Sequence, residues 1–285
     1  MKTRLFAITL SACGIALVCA QPANAIKIVH SSLGIIFEDD FETATLGDTL
    51  SANNASITGT WSPNTAGGAA PGGTTNALDK IVNASSSTPP APPLALSGTA
   101  STQWAIIDRA GGSGRVEAHF TSDVLGTAGT LTADFLAYMD PANPNGHMAN
   151  LGFGDTLAGY LYLLPGHGTD NVLTVGGVGE TPVTFQRGVW EHWHVEMTLT
   201  GDENTSTAEV CIGDTSNCTG TFAFAAANSA GLDRLEVEGG HTGSARTFWL
   251  DGTSAAFVPE PSSLTLLGLA TLLCGTCLRV RRRRS

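Results

Sequence analysis

Apolar and polar side chains alternate along several short stretches of this 285-residue chain, most clearly over Trp190–Leu199. In that stretch one face of an extended strand carries Trp193, Val195, Met197 and Leu199, and the other carries His192, His194, Glu196 and Thr198. A period of two is typical of a β-strand with one buried face. No stretch of helical period exceeds about ten residues, and Gly and Pro interrupt the chain throughout. The pattern predicts an all-β protein.

The same reasoning predicts ten or more strands. They cover residues 34–41, 103–108, 115–120, 131–139, 159–164, 171–175, 190–199, 207–212, 221–224 and 246–251, with a further strand around Leu235 and Val237. In that further strand Leu235 and Val237 are expected to face inward, and Arg234, Glu236 and Glu238 outward. Residues 51–93 are rich in Ser, Thr, Asn, Gly and Pro and are predicted to form a long surface loop with at most short strands. Strands with one wet face each predict two stacked antiparallel sheets.

The amino-terminal end of the chain differs from its middle. Lys2 and Arg4 precede an apolar run, and small residues before and at Ala25 form a site that a signal peptidase accepts. This pattern predicts a helical secretory signal peptide over residues 1–25, cleaved after Ala25. A retained amino-terminal anchor is the alternative. The predicted domain therefore spans residues 26–257.

The carboxyl-terminal end, residues 258–285, has three parts in a fixed order. Val258, Pro259, Glu260 and Pro261 come first, an uncharged apolar run follows, and five arginines lie within the last seven residues. As a helix, residues 262–280 would cross roughly 28 Å at ~1.5 Å per residue, enough to span a membrane. Arginine at the end of a span holds that end in the cytoplasm, so the body lies on the far side of the membrane.

This tail resembles the PEP-CTERM sorting signal of bacterial surface proteins. The resemblance implies recognition by an exosortase-type transpeptidase, cleavage near the Pro-Glu-Pro element, and transfer of the body to the envelope or extracellular matrix. An ordinary single-span anchor that is never cut is the alternative. The expected localisation is therefore the cell envelope, with the protein held in the membrane by its carboxyl-terminal span until processing.

The composition of the body narrows its partners. Between residues 26 and 258 there are 7 Lys and Arg against 24 Asp and Glu, a formal charge of −17. Such a balance repels phosphates and excludes nucleic acid as a partner. Only Cys211 and Cys218 remain in the body, and an exported pair is expected to form a disulfide across the turn at Gly213. Two free thiols are the alternative.

Three short segments of the body resemble concanavalin A-like, laminin-G-type jelly rolls. They are residues 37–42 (FEDDFE), 188–195 (GVWEHWHV) and 248–252 (FWLDG). The resemblance implies a jelly-roll sandwich in which the first and last strands pair beside each other. Asp39, Asp40, Glu42 and Asp251 would then converge and could hold a structural calcium ion, which prefers carboxylate and carbonyl oxygens. A solvated acidic rim is the alternative.

Other candidate chemistry is weaker. Glu236 and Glu238 have the spacing of a carboxylate pair, but the order of acids found in glycoside hydrolases of this fold is missing. His192 and His194 share a face as zinc ligands could, without a visible third ligand. Trp190, near a turn, is the candidate for an exposed sugar platform, whereas Trp193 and Trp249 are expected in the core.

These features predict an exported, non-catalytic binding or matrix protein that meets glycan or exopolysaccharide. A carbohydrate-active enzyme, such as a glycoside hydrolase on the same fold, is the alternative. A third interpretation is that the fold only displays its acidic surface within an exopolysaccharide matrix.

Overall fold

The computed structural model describes residues 26–50, 57–63, 80–85, 101–108, 115–154, 161–202, 205–224, 231–239 and 246–252. The predicted signal peptide, sorting tail and membrane span lie outside these residues. Within the described ranges every named element is a strand, and no helix is long and apolar enough to cross a membrane. The fold class is therefore all-β, as the alternation of side chains predicts.

Sixteen strands follow one another along the described chain. They are β1 (Ile26–His30), β2 (Gly34–Asp39), β3 (Thr60–Pro63), β4 (Lys80–Val82), β5 (Trp104–Asp108), β6 (Arg115–His119), β7 (Gly129–Met139), β8 (Ala149–Phe153), β9 (Leu161–Pro165), β10 (Val172–Val175), β11 (Gly179–Thr184), β12 (Trp190–Leu199), β13 (Thr207–Ile212), β14 (Phe222–Ala223), β15 (Arg234–Gly239) and β16 (Thr247–Asp251).

The strands form two antiparallel sheets. A nine-stranded sheet has the order β14-β13-β12-β7-β16-β5-β4, and β1 joins it by pairing with both β7 and β2. A seven-stranded sheet has the order β11-β10-β9-β8-β15-β6-β3. Strands that are distant in sequence are neighbours in both sheets, which is the connectivity of a sandwich rather than of a simple meander.

The inner faces of the two sheets meet in one hydrophobic core. Phe135 of β7 and Trp193 of β12 stack within the nine-stranded sheet, with ring centroids 6.0 Å apart. Leu151 of β8 and Val237 of β15 come from the seven-stranded sheet and belong to the same buried cluster. The predicted inward face of β12 is confirmed, because Trp193, Val195, Met197 and Leu199 are all buried.

Several strand boundaries differ from the sequence predictions. Strands β1, β8 and β11 were not predicted. Strand β1 has only five residues, β8 is buried at every position, and β11 carries glycine and proline without a clear alternation. The strand predicted over residues 34–41 ends at Asp39, and Phe41 takes a φ of 57°, a left-handed conformation that does not continue a strand. In residues 57–63 and 80–85, the described parts of the predicted loop over residues 51–93, the structure has the short strands β3 and β4.

The first and last strands lie along the same edge of β7. Strand β1 pairs with residues Leu131–Asp134 of β7, and Lys27 lies opposite Asp134. Strand β16 pairs with the next part of β7, so that Asp251 lies opposite Leu136. The two strands therefore follow each other end to end along β7 and do not pair with each other, so the pairing of first and last strands that the jelly-roll resemblance implies is wrong. This arrangement brings the beginning and the end of the predicted domain together.

Cys211 and Cys218 face each other where the chain turns after β13. Their Cα atoms are 4.1 Å apart and their sulfur atoms 2.02 Å apart. Gly213, with a φ of 80°, allows the turn between them. The bridge lies between β13 and the segment that returns to β14, which is the hairpin position that the sequence predicts.

Replacing both cysteines by serine should lower the free energy of unfolding of the exported body by about 2 kcal/mol, because a crosslink restricts the unfolded chain. Urea denaturation with and without dithiothreitol measures this difference. The reductant should destabilise the natural protein and leave the double variant unchanged. Equal stability of the two proteins under oxidising conditions would contradict the prediction.

Candidate functional site

The four residues predicted to bind calcium lie at the junction of β1, β2 and β16. Asp39 ends β2 and lies opposite Ile26, the first residue of β1. Asp40 and Glu42 both act electrostatically on Asp251 at the end of β16. The structure therefore brings the acidic opening of the domain to its Asp-Gly close, as the jelly-roll resemblance implies.

Asp39 is fully buried, and its two carboxylate oxygens accept hydrogen bonds from different partners. The backbone N–H of Phe41 donates to Oδ1 at 2.9 Å, which holds the left-handed turn at Phe41. The indole N–H of Trp61 donates to Oδ2. Burial nevertheless dominates and raises the pKa of Asp39 to about 6, while both hydrogen bonds act in the opposite direction.

Glu42 also accepts hydrogen bonds, whereas one oxygen of Asp251 accepts none from the described residues. Glu42 accepts hydrogen bonds from the hydroxyl of Ser101 at 3.0 Å and from the backbone N–H of Thr102 at 2.7 Å. Burial raises the pKa of Asp251 well above its usual range, and the charges of Glu42 and Asp40 add to the effect. Asp251 Oδ2 has no hydrogen-bond partner among the residues that the structure describes. Within those residues, no group of three or more His, Cys, Asp or Glu has the geometry of a metal site.

A second polar group lies on the outer face of the nine-stranded sheet. His192 Nε2 and His194 Nδ1 both contact Asp134 Oδ1, at 3.0 and 2.8 Å. Asp134 lies opposite His194 in the pairing of β7 with β12. Burial alone would raise the pKa of Asp134, but the hydrogen bonds from the two histidines outweigh it and the pKa is lowered. The histidines thus share a face as predicted, and their partner is an aspartate that the sequence analysis did not single out.

Trp190, the predicted aromatic platform, packs among other aromatic side chains. Trp190 is half-buried and packs against Trp104 and Tyr138, with ring centroids 6.2 and 5.6 Å away. Trp249 is buried beside Tyr138 in a second hydrophobic cluster, separate from the main core. Trp249 is therefore buried as predicted, but outside the main core that holds Trp193.

The outer face of the seven-stranded sheet carries the largest group of buried polar side chains. Three glutamates on two neighbouring strands are 2%, 2% and 0% exposed: Glu117, Glu236 and Glu238. Asn150 lies on β8 and Tyr162 on β9. His119 of β6 and Arg234 of β15 lie opposite each other, two residues along the strands from Glu117 and Glu236. We call this set of seven side chains the glutamate face. Its members alternate with core residues such as Val116 and Val237, so they point away from the core.

Glu236 and Glu238 were predicted to face outward and to be exposed to water, and the prediction of exposure was wrong. They point away from the core, as the alternation requires, but both are buried. A strand in the middle of a sheet can be covered on both faces, and alternation alone does not reveal such cover. Glu238 accepts a hydrogen bond from the side-chain amide of Asn150 at 2.8 Å, on the neighbouring strand.

Glu117 is the best-defined residue of the glutamate face, and the sequence analysis missed it. It lies opposite Glu236 in the pairing of β6 with β15. Its Oε2 atom contacts His119 Nε2 at 2.9 Å and accepts a hydrogen bond from Arg234 Nη1 at 3.2 Å. Its Oε1 atom is buried and has no hydrogen-bond partner in the described part of the chain. The i, i+2 spacing of Glu117 and His119 on a strand was the available signal.

Tyr162 closes the glutamate face beyond Glu236. Gly152, which separates Glu236 from Tyr162 in the sheet, has no side chain, and a Cβ there would lie 2.8 Å from Tyr162 Cε1. A Cβ on Gly176 would similarly lie 3.0 Å from Tyr162 Cβ. Both glycines therefore allow the ring to lie close to the sheet. Tyr162 is half-buried, which leaves part of the ring accessible beside the glutamates.

The tail of the chain matches a known family. Residues 257–284 match the PEP-CTERM protein-sorting motif, which confirms the resemblance drawn from Val258, Pro259, Glu260 and Pro261. A chain with this motif is an exported protein that carries a carboxyl-terminal sorting signal for an exosortase-type system. No curated protein matches the chain.

The body is similar to solved structures of carbohydrate-related β-sandwiches. The catalytic domain of a glycoside hydrolase family 131 protein from Coprinopsis cinerea has a TM-score of 0.50 at 12% identity, covering 76% of this chain and 91% of that one. Alginate lyase Aly36B has a TM-score of 0.44 at 14% identity, covering 79% and 94%. A sialidase has a TM-score of 0.40 at 12% identity over 62% of this chain, which spans only 17% of the sialidase. At 12% identity the likeness to the family 131 domain shows the fold alone, a sandwich compatible with a jelly roll.

Asp39 should make the stability of the body depend on pH. Its pKa is raised on folding, so its contribution is fully present below about pH 4 and is lost as the pH rises to about 6. A shift from 3.8 to about 6 corresponds to about 3 kcal/mol. We expect the stability of the natural protein relative to Asp39→Asn to fall by about this amount between pH 4 and pH 7. Urea denaturation in EDTA across this range measures it.

The exposed Asp48 supplies the control for this measurement. Asp48→Asn makes the same chemical change at the surface and should leave the pH dependence of the natural protein intact. A difference between the natural protein and Asp39→Asn that stays constant with pH would contradict the prediction.

Proposed function

We propose that the exported body binds an uncharged polysaccharide of the envelope or extracellular matrix through the glutamate face. The sorting motif supports a location outside the cytoplasm, where such polymers occur. The observation that carries the proposal is the position of Tyr162, a half-buried ring held close to the sheet by Gly152 and Gly176 beside a row of hydrogen-bonding side chains. A flat ring can contact the apolar face of a sugar while neighbouring polar groups bind its hydroxyls.

The charge of the protein supports the choice of an uncharged ligand. The body has a formal charge of −17, and the glutamate face itself carries three buried glutamates. A polymer of uronic acids would bring further negative charge to a surface that already repels anions. Neutral sugars supply hydroxyl donors to carboxylates without this cost.

Tyr162→Ala should weaken binding to neutral polysaccharide at least about tenfold, because it removes the proposed stacking surface, worth on the order of 1 kcal/mol or more. The measurement is affinity electrophoresis of the secreted body in gels containing barley β-glucan, soluble chitin or alginate. The mass of the secreted body also reports cleavage after Ala25 and near Pro259.

Tyr162→Phe and Trp190→Ala are the matched controls. The first keeps the ring and should retain most of the binding. The second removes a half-buried ring from the opposite sheet and should leave binding unchanged, provided that its thermal midpoint shows a folded protein. Retardation by alginate alone, or no retardation by any of these polymers, would overturn the proposal.

Structural calcium remains a proposal for Asp39, Asp40, Glu42 and Asp251. Asp251 Oδ2, buried and without a partner among the described residues, fits a cation, whereas the oxygens of Asp39 and Glu42 already accept hydrogen bonds. An ion there would neutralise acids that burial disfavours as anions. If it binds, millimolar Ca²⁺ should raise the thermal midpoint of the natural protein and leave Asp251→Asn unchanged. An unchanged midpoint in the natural protein would reject the calcium site.

A further inference from the structure

The surroundings of Glu117 are those of a carboxylate prepared for chemistry. One oxygen, Oε2, is held by His119 and Arg234, two groups that stabilise negative charge. The other, Oε1, is buried and has no hydrogen-bond partner in the described ranges. A carboxylate that is needed only for structure usually has both oxygens satisfied when it is buried. A carboxylate oxygen without a partner is available to act as a nucleophile.

Glu236 provides a second carboxyl group directly opposite Glu117 in the sheet. Side chains directly opposite each other on antiparallel strands have Cβ atoms about 4.5 to 5.5 Å apart. Glu117 and Glu236 are such a pair, on β6 and β15. Glycoside hydrolases that retain configuration have carboxyl groups about 5 to 5.5 Å apart, whereas those that invert it leave a wider gap for water.

A second buried polar atom on the same face also lacks a partner. Thr174 lies on β10, in the row that contains Glu238, Asn150 and Leu164 on the neighbouring strands. Thr174 is 9% exposed, and its hydroxyl oxygen has no hydrogen-bond partner among the described residues. In the order of strands, Tyr162 on β9 lies between Thr174 on β10 and Glu117 on β6. The face therefore carries two buried polar atoms without a partner among the described residues, on strands to either side of Tyr162.

We propose that the glutamate face hydrolyses a glycosidic bond in the polysaccharide that it binds, with Glu117 as nucleophile and Glu236 as general acid and base. The proposal rests on the function proposed above and adds an activity to it. The sequence alone predicts no catalytic centre. Its spacing suggests Glu236 with Glu238 as a carboxylate pair, whereas the sheet places Glu236 beside Glu117. The substrate class is a neutral polysaccharide, for the electrostatic reason already given.

The reaction has two steps that balance. In the first, Glu117 Oε1 forms a bond to the anomeric carbon, the bond from that carbon to the leaving oxygen breaks, and Glu236 gives its proton to that oxygen. In the second, water attacks the anomeric carbon, Glu236 takes a proton from the water, and the ester bond to Glu117 breaks. Glu117 is released as a carboxylate, and the product keeps the configuration of the substrate. Arg234 and His119 act as positioning residues, because they hold Oε2 and leave Oε1 free to react.

The test begins with the natural secreted body and a fixed panel of barley β-glucan, laminarin and soluble chitin. We expect new reducing ends from at least one of them, and proton NMR of the first product should show retained configuration. Binding to the same polymers is measured in parallel by affinity electrophoresis. Binding without any reducing ends would overturn hydrolysis and leave the binding function standing. Inverted configuration would overturn Glu117 as nucleophile.

Variants then assign the roles on the cleaved polymer and on a matching aryl glycoside. Glu117→Gln should lower kcat at least about 1,000-fold, and Glu236→Ala at least about 100-fold on the polymer. Azide should rescue Glu236→Ala with a glycosyl azide of retained configuration and Glu117→Ala with one of inverted configuration. A merely structural role for these residues would give no azide product.

Glu196→Gln serves as the control, because Glu196 is exposed on the opposite sheet. It should retain the activity of the natural protein. If Glu117→Gln binds the polymer and releases reducing ends at the natural rate, the assignment of Glu117 is wrong. The activity and stereochemistry of the natural protein decide the proposal even if a glutamate variant fails to fold.

Discussion

The pairing of β7 with three other strands is the constraint on which the rest of the structure depends. One edge of β7 pairs with β12 over Gly129–Tyr138, and the other is shared by β1 and β16. These contacts join the beginning, middle and end of the described chain in one sheet. Such long-range pairing closes large loops, and their entropic cost has to be met by the core between the sheets. Phe135 and Trp193, adjacent on β7 and β12, contribute a stacked aromatic pair to that core.

The sequence predicted the parts of the fold that alternate strongly. Strand β12 was predicted with its observed bounds, because large apolar residues occupy every second position from Trp193 to Leu199. The all-β class and the two sheets followed from several such stretches. Strand β8 was missed because all of its residues are buried and glycine interrupts its pattern. A strand covered on both faces gives no period of two, so local sequence does not distinguish it from a buried loop.

The candidate site was harder to predict than the fold. Asp39, Asp40, Glu42 and Asp251 were expected to converge because their segments resemble the two ends of a jelly roll, and Asp40 and Glu42 do lie close enough to Asp251 to act on it electrostatically. Glu117 was not noticed, because its importance comes from Glu236 and Arg234, which follow more than one hundred residues later. Which strands pair is decided by the whole chain. Burial of Glu236 and Glu238 was also invisible locally, since an alternating acid reads as a solvated one.

The end-to-end placement of β1 and β16 on β7 has a consequence for maturation. Ile26 is fully buried and lies opposite Asp39, whose carboxylate belongs to the same acidic junction as Asp251. Cutting the preprotein after Ala25 would create an ammonium group on Ile26 within this junction. The new amino terminus would then place a positive charge near the buried acids of this junction. The uncut precursor has no such charge at this position. Removal of the signal peptide would in this way stabilise the folded body through a new electrostatic interaction.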